Sequence, residues 1–270
     1  MIETSKFLSE DKVESFHRNG YVLGGELISS EDISFLQDEV LRVIDDRDRE
    51  DIAQPLRTQN LSMTKGEGST VWQIVNIWQA SEAFRQIILD SRLGETAAEL
   101  LNAEEVRLWH DQIQYKPAEV GGVNNWHQDS PYWPCINQGH AVTAWLALDD
   151  ADEGNGCMRM VNGSHLWGDT IEFLHKEMSD FENPASHYGD HEINVSSATV
   201  PKGHVHFHHG FTHHGSSNNR SGRPRRALAM HFISEKTVFL GKKGHPCEEL
   251  IDVPVGCKIE GEGFPVVYQR

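Results

Sequence analysis

Residues 124–134 read Asn-Asn-Trp-His-Gln-Asp-Ser-Pro-Tyr-Trp-Pro and place an imidazole and a carboxylate two positions apart. On a β-strand, residues i and i+2 point to the same face, so His127 and Asp129 can approach one ion. Such a pair, joined by a distant histidine, forms the 2-His-1-carboxylate triad that leaves open positions on a non-heme Fe(II) centre. With 16 histidines and 41 acidic residues in the chain, one His-x-Asp pair can arise by chance. Other parts of the sequence must therefore supply the rest of a site.

A second histidine-rich segment lies between Lys202 and Arg226, with six histidines in the eleven residues 204–214. Such a density of histidine is also typical of tracts with loose affinity for transition metals. The order of residues favours a specific site instead. Gly215 and Ser216 follow His214 directly, and Arg225 comes eleven residues after His214, at the start of an alternating strand.

Strand patterns dominate the chain after residue 105. Residues 106–115 alternate, and they place His110, Gln112 and Gln114 on one face of the predicted strand. Polar groups that end an otherwise apolar face indicate a strand that enters a site. Further strands are predicted over residues 142–149, 158–161, 196–200, 205–207 and 225–233.

Helical patterns come before the strands. The clearest helix follows Ser29 and Ser30, with Ile33, Leu36, Val40, Val43 and Ile44 at helical spacing. Residues 45–68 are polar and aperiodic and predict a loop, and residues beyond 236 predict little regular structure. Helices followed by many short strands predict an α+β, mainly β chain on an antiparallel sheet pair or barrel.

A single domain is expected over residues 1–270, a size that one barrel or sandwich commonly reaches. Within it, residues 1–104 are predicted to be mostly helical support and residues 105–235 the β core. Residues 166–194 read as an insertion or lid between strands, and residues 236–270 as a tail.

Composition excludes several classes of partner. The net charge of −17 and pI near 5.3 would repel phosphate backbones, so nucleic acid and anionic membranes are poor partners. No apolar run of about 18 residues predicts a membrane-spanning helix. The first residues show no secretion signal, so a cytoplasmic location is expected. Four cysteines without Cys-x-x-Cys spacing indicate reduced thiols.

Five ordered motifs resemble those of the phytanoyl-CoA dioxygenase family of Fe(II)- and 2-oxoglutarate-dependent oxygenases. They are Trp-His-Gln-Asp at 126–129, Trp-Leu-Ala-Leu-Asp-Asp at 145–150, Glu-Gly-Asn-Gly-Cys-Met at 153–158, Asn-Gly-Ser-His at 162–165, and His-Gly-Ser at 214–216 with Arg225. The chain departs from the family at Asn162, usually proline, and at Gly203-His204, usually Gly-Asp. Neither position is a metal ligand in the family.

The resemblance implies a double-stranded β-helix, a jelly roll with helices packed outside and a metal at its mouth. By motif match, the metal ligands are His127, Asp129 and His214. Arg225 matches the arginine that pairs with the distal carboxylate of 2-oxoglutarate, for which a guanidinium fork is well shaped. Further cosubstrate contacts are expected from Ser216, Trp145, Gln112 and, as a weaker candidate, Gln73. Core packing is an equal alternative for Trp145.

The implied cofactors are Fe(II), 2-oxoglutarate as cosubstrate, and O2. The 2-oxoglutarate would fill two metal positions and leave the last for O2. Decarboxylation to succinate and CO2 then accompanies hydroxylation of an unactivated carbon. Related halogenases lack the carboxylate ligand, so Asp129 favours hydroxylation, or a related desaturation or ring closure.

The substrate is predicted to be a small molecule. Trp126, Tyr132 and Trp133 flank the metal segment and could stack on a substrate, although aromatics at such positions are at least as often packing. An acyl-CoA would need a basic entrance, and Lys and Arg cluster only within 220–226 and 236–243. A small metabolite or natural-product intermediate, carried free rather than on CoA, is therefore expected.

Two other functions use the same three ligands. One is a cupin-like metal-binding or sensor protein without catalysis, and the other is a hydrolase in which zinc activates water. Neither explains Ser216 or Arg225, because neither function needs a carboxylate clamp eleven residues after its last histidine.

Overall fold

The computed structural model describes residues 6–61 and 70–270. Within these residues the helices are α1 (Glu10–Asn19), α2 (Ile33–Asp45), α3 (Glu82–Ile88), α4 (Ser91–Leu101) and α5 (Ile171–Glu177). The strands are β1 (Tyr21–Glu26), β2 (Arg57–Leu61), β3 (Val71–Val75), β4 (Glu105–Lys116), β5 (Asn124–His127), β6 (Ala141–Ala147), β7 (Met158–Val161), β8 (His187–Tyr188), β9 (His191–Glu192), β10 (Val195–Ala198), β11 (His204–His209), β12 (His214–Ser216), β13 (Arg225–Ser234) and β14 (Val266–Gln269). Across these described stretches, no helix has the length and apolar character that a membrane crossing requires.

Two antiparallel sheets form the body of the protein. The larger sheet has the strand order β1-β11-β6-β13-β4-β3-β2, with β14 paired to β4, and the smaller one has the order β10-β7-β12-β5. Strands that are distant in sequence lie side by side in both sheets, as in a jelly roll. The predicted double-stranded β-helix is confirmed.

The two faces of β13 explain how the layers are arranged. Leu228, Met230 and Phe232 are buried in one cluster with residues of α1, α2 and α4, which cover the outer face of the large sheet. The alternate residues Ala227 and Ala229 pack towards the small sheet. The apolar stripe predicted for α2 is confirmed, because its members are buried: Ile33, Leu36, Val40, Val43 and Ile44.

The inner layer lies between the sheets. Trp145 and Ala229 of the large sheet share a buried cluster with Met158 and Met160 of the small sheet. Further along the same inner face the residues turn polar, with Thr143 on β6 and His231 on β13 directly opposite each other in register. This polar end of the barrel is where the candidate site lies.

Of the two predictions about irregular segments, the first is wrong and the second holds for most of its length. The loop expected over 45–68 contains β2, and residues 62–68 of it lie outside the described residues. The tail beyond 236 contains β14, which pairs with the edge of β4. The sheet therefore extends beyond residues 105–235 at both ends. These strands are short and their pairing partners are distant, so local periodicity carries little signal for them.

The C-terminal strand is held against α4 at a glycine. Gly94 lies on the buried face of α4, and a Cβ at this position would overlap the carbonyl oxygen of Val267 in β14. The absence of a side chain thus lets the helix and the strand approach closely.

We expect Gly94→Ala to destabilise the protein even though alanine is the better helix former. The helix preference is worth about 1 kcal/mol, whereas the forced separation of α4 from β14 costs about 1–3 kcal/mol. Urea denaturation measures the free energy of unfolding. Gly25→Ala is the control, because a Cβ there meets only the Phe7 ring at 3.7 Å. A Gly94→Ala protein more stable than the wild type would contradict this account of the contact.

Candidate metal centre

Three predicted ligands converge at the polar end of the barrel. His127 ends β5 and His214 begins β12, and the two residues are paired across the antiparallel strands. The Nε2 atoms of His127 and His214 lie 3.8 and 3.6 Å from Oδ1 of Asp129. All three ligand atoms lie within 4.8 Å of one another. The strand pairing therefore brings together the distant parts of the triad.

Backbone carbonyls fix the orientation of both imidazoles. Nδ1 of His127 lies 2.7 Å from the carbonyl oxygen of Asn125, and Nδ1 of His214 lies 2.9 Å from that of Thr212. A carbonyl only accepts, so each Nδ1 carries the hydrogen and each Nε2 keeps its lone pair for a metal. Burial lowers the pKa of both histidines to about 4, so both are neutral at pH 7.

The carboxylate of Asp129 is also oriented by hydrogen bonds. Oδ2 accepts from Thr143 Oγ1 at 2.8 Å and from His208 Nε2 at 3.1 Å. Thr143 Oγ1 in turn lies 2.8 Å from Nδ1 of His231. Burial alone would raise the pKa of Asp129, but the neighbouring His214 and His208 bring it well below the usual value. Because Oδ2 is engaged, Oδ1 is the oxygen left for a metal.

We expect Thr143→Val to weaken Fe(II) binding about 10- to 100-fold, the usual effect of removing an outer-shell partner of a metal ligand. The measurement is anaerobic competition for Fe(II) against a chromogenic chelator. Thr237→Val is a matched control, since the Thr237 hydroxyl is buried and has no hydrogen-bond partner among the described residues. Equal metal affinity in the two variants would show that Thr143 does not orient the ligand.

Arg225 is the strongest sign of an anion-binding site. Its side chain is fully buried, and Nε, Nη1 and Nη2 have no hydrogen-bond partner among the described residues. The guanidinium lies over the Trp145 ring, 5.4 Å from its centroid. Burial lowers even this pKa to about 10. Burying a cation costs folding free energy unless an anion pairs with it. A dicarboxylate such as 2-oxoglutarate fits this requirement.

The four predicted cosubstrate contacts other than Arg225 line two neighbouring cavities. Ser216 and Trp145 line a narrow inner cleft that also borders His127, Asp129 and His214. Gln112 lines the larger outer cavity instead, as does Gln73, whereas Gln114 borders both spaces. Trp145 also packs in the inter-sheet core, so the packing role considered for it is observed, and its contact with the cosubstrate stays a prediction.

The outer cavity opens beside the same triad and has a volume of about 490 Å³. Tyr132 and Trp133 line it, and Tyr132 is 48% exposed. Trp126 also borders the cavity, but it is almost fully buried and stacks on Phe181 with ring centroids 5.1 Å apart. Its indole N–H donates to the Phe181 carbonyl, so packing against Phe181 accounts for much of its surface.

Several residues of the site were not singled out from the sequence. Thr143, His208 and His231 surround Asp129, and Lys116 donates to Ser216 Oγ at 2.6 Å. The alternation of β6, β11 and β13 carried a signal, because polar residues at inward positions of otherwise apolar strands mark a site. Lys116 ends a strand, where a lysine ordinarily lies in solvent, and only the fold reveals its burial.

Comparison with known proteins identifies a family and several relatives. The phytanoyl-CoA dioxygenase (PhyH) family model matches residues 16–227. An ectoine dioxygenase of Bordetella parapertussis is 28% identical over 253 residues, 88% of this chain and 79% of that protein. The peroxisomal phytanoyl-CoA dioxygenase of Bos taurus is 23% identical over 270 residues, 91% of this chain and 76% of that protein.

A solved structure shares the fold. The non-heme alpha ketoglutarate dependent carbocyclase SnoK from nogalamycin biosynthesis has a TM-score of 0.76 and 23% identity, with 97% of each chain covered. At that level of identity the likeness shows the common β architecture.

Proposed function

The chain belongs to the phytanoyl-CoA dioxygenase family and is an Fe(II)- and 2-oxoglutarate-dependent dioxygenase, and on that premise we propose that it hydroxylates an aliphatic C–H bond of a small metabolite. The observation that carries the proposal is the buried guanidinium of Arg225, which has no partner among the described residues and lies over Trp145, a residue that lines the same cleft as the facial triad. A metal binder or a zinc hydrolase would have no use for that cation.

The proposed roles follow from the orientation of each side chain. His127, Asp129 and His214 hold the iron through Nε2, Oδ1 and Nε2, the atoms that their other hydrogen bonds leave free. Arg225 and Ser216 bind the distal carboxylate of 2-oxoglutarate, and Trp145 supports the guanidinium. Bound Fe(II), 2-oxoglutarate and O2 supply the oxidation, which yields succinate and CO2 and inserts one oxygen atom into the substrate.

Asp129 supports hydroxylation over halogenation. A halide could take a metal position only if the carboxylate were absent, and here the carboxylate is present and locked by Thr143 and His208. Desaturation and ring closure use the same ligand set and are the neighbouring outcomes.

The chemistry of the outer cavity supports a small, polar substrate without a positive charge. Amide side chains from both sheets line it, among them Gln73, Gln112 and Asn125, and Asp129 is the only carboxylate among the described residues of the lining. Arg57 is the only lysine or arginine in that lining. Among the described lining residues a cationic group would find no carboxylate besides the metal ligand Asp129, whereas neutral polar groups and carboxylates would find donors. The cavity volume of 490 Å³ suits a drug-sized molecule or a smaller one.

We expect anaerobic addition of Fe(II) and 2-oxoglutarate to give a weak visible charge-transfer band, and we expect Arg225→Ala to lose it. Truncating one partner of a buried charge pair costs about 2–5 kcal/mol of binding. The variant should therefore show no band at 2-oxoglutarate concentrations that saturate the wild type.

The neighbouring Arg226→Ala is the matched control. Arg226 pairs with Asp149 at 2.8 Å and, as the next residue on β13, points to the opposite face of the sheet. This variant should keep the band. A wild-type protein with bound iron and no band on addition of 2-oxoglutarate would refute the proposed cosubstrate.

We expect free small metabolites, rather than CoA thioesters, to stimulate succinate release. The phosphates of CoA would extend beyond the cavity onto the surface of a protein whose net charge is −17. Succinate is measured with each free acid and its CoA thioester as a matched pair. Faster turnover with the thioester than with the free acid would reverse this substrate assignment.

A further inference from the structure

A second buried basic side chain lies next to the first. Lys116 is 0% exposed at the end of β4, and it is paired in register with Arg225 on β13. Neither side chain forms an ion pair with a described residue, and each like charge makes burial of the other less favourable. Burial and the adjacent guanidinium lower the pKa of Lys116 well below its usual value, so an anion bound beside Arg225 would favour the ammonium form of Lys116.

The ammonium of Lys116 cannot itself contact that anion in this arrangement. Its three hydrogens are directed to Ser216 Oγ at 2.6 Å, the carbonyl oxygen of Ser217 at 2.6 Å and the carbonyl oxygen of Ser216 at 3.1 Å. An ammonium has three donors and no acceptor, so its hydrogen-bonding capacity is fully used. By hydrogen bonding, Lys116 can therefore influence a ligand in the cleft only through the Ser216 hydroxyl.

These contacts determine where the Ser216 hydroxyl can point. Because its oxygen accepts from Lys116, its own hydrogen is free to donate elsewhere, and it has no acceptor among the described residues. Ser216 lines the inner cleft with Trp145, over which Arg225 lies. The free O–H is therefore available to an acceptor inside the cleft.

We propose that Lys116 is a positioning residue for the cosubstrate, because it holds the Ser216 hydroxyl as a donor to the distal carboxylate of 2-oxoglutarate beside Arg225. This inference rests on the proposed function. It adds a residue whose side chain makes no contact of its own with the cosubstrate and whose effect on binding is transmitted by a hydrogen bond.

The test is an anaerobic titration of 2-oxoglutarate into the Fe(II)-loaded full-length protein, followed by the charge-transfer band. Lys116→Gln keeps amide donors for the two carbonyls, so it preserves the backbone contacts better than an apolar residue would. We expect its Kd for 2-oxoglutarate to rise at least about tenfold, while its Fe(II) affinity stays within about twofold of the wild type.

Two further variants test whether Lys116 acts on 2-oxoglutarate binding through Ser216. Lys258→Gln is the control, since Lys258 pairs with Glu105 at the other end of β4 and should leave 2-oxoglutarate binding unchanged. In a Ser216→Ala background, Lys116→Gln should raise the Kd by less than about threefold more, because residues that act through one contact are not additive.

Each contrary result has its own meaning. If Lys116→Gln still raised the Kd for 2-oxoglutarate tenfold in the Ser216→Ala background, Lys116 would not act through Ser216. An unchanged Kd in Lys116→Gln, or an equal loss of Fe(II) and 2-oxoglutarate affinity with a lower melting temperature, would overturn the positioning role. A wild type that binds iron but gives no band would overturn the proposed function itself, and this assignment with it.

Discussion

The pairing of β5 with β12 is the contact on which the rest of the site depends. It places His127 opposite His214 in an antiparallel register. Asp129 follows two residues after His127. A shift of one residue would turn one imidazole away from the cavity, because side chains alternate between faces. The large sheet then supplies what the small one lacks: hydrogen-bond donors for the carboxylate and a buried guanidinium for an anion.

The sequence was most informative where apolar residues recur at the spacing of a strand or a helix. The alternation of β13 separated Leu228, Met230 and Phe232 from the inward residues, and the spacing of α2 identified its buried face. The three metal ligands came from motif resemblance rather than from periodicity. Their convergence within 4.8 Å is a property of the fold, since His214 is remote from the other two in sequence.

What the sequence did not reveal depends on contacts between distant strands. β2, β3 and β14 are short edge additions to the large sheet, and each is specified by its partner more than by its own residues. The same holds for Lys116, whose burial requires β4, β12 and β13 to meet. The sequence likewise gives no sign that Thr143 belongs to the site, because its hydrogen bond to Asp129 requires β6 to lie beside that residue.

The use of main-chain carbonyls to orient the imidazoles has a consequence for sequence variation. The oxygens that fix His127 and His214 belong to the backbone of Asn125 and Thr212, and every amino acid carries such an oxygen. The metal-binding geometry therefore places no demand on the side chains at these two positions. Thr212 is restricted for another reason, because its buried hydroxyl donates to the carbonyl oxygen of Gly20. Asn125 instead lines the outer cavity, so its side chain can change with the substrate while His127 keeps its orientation.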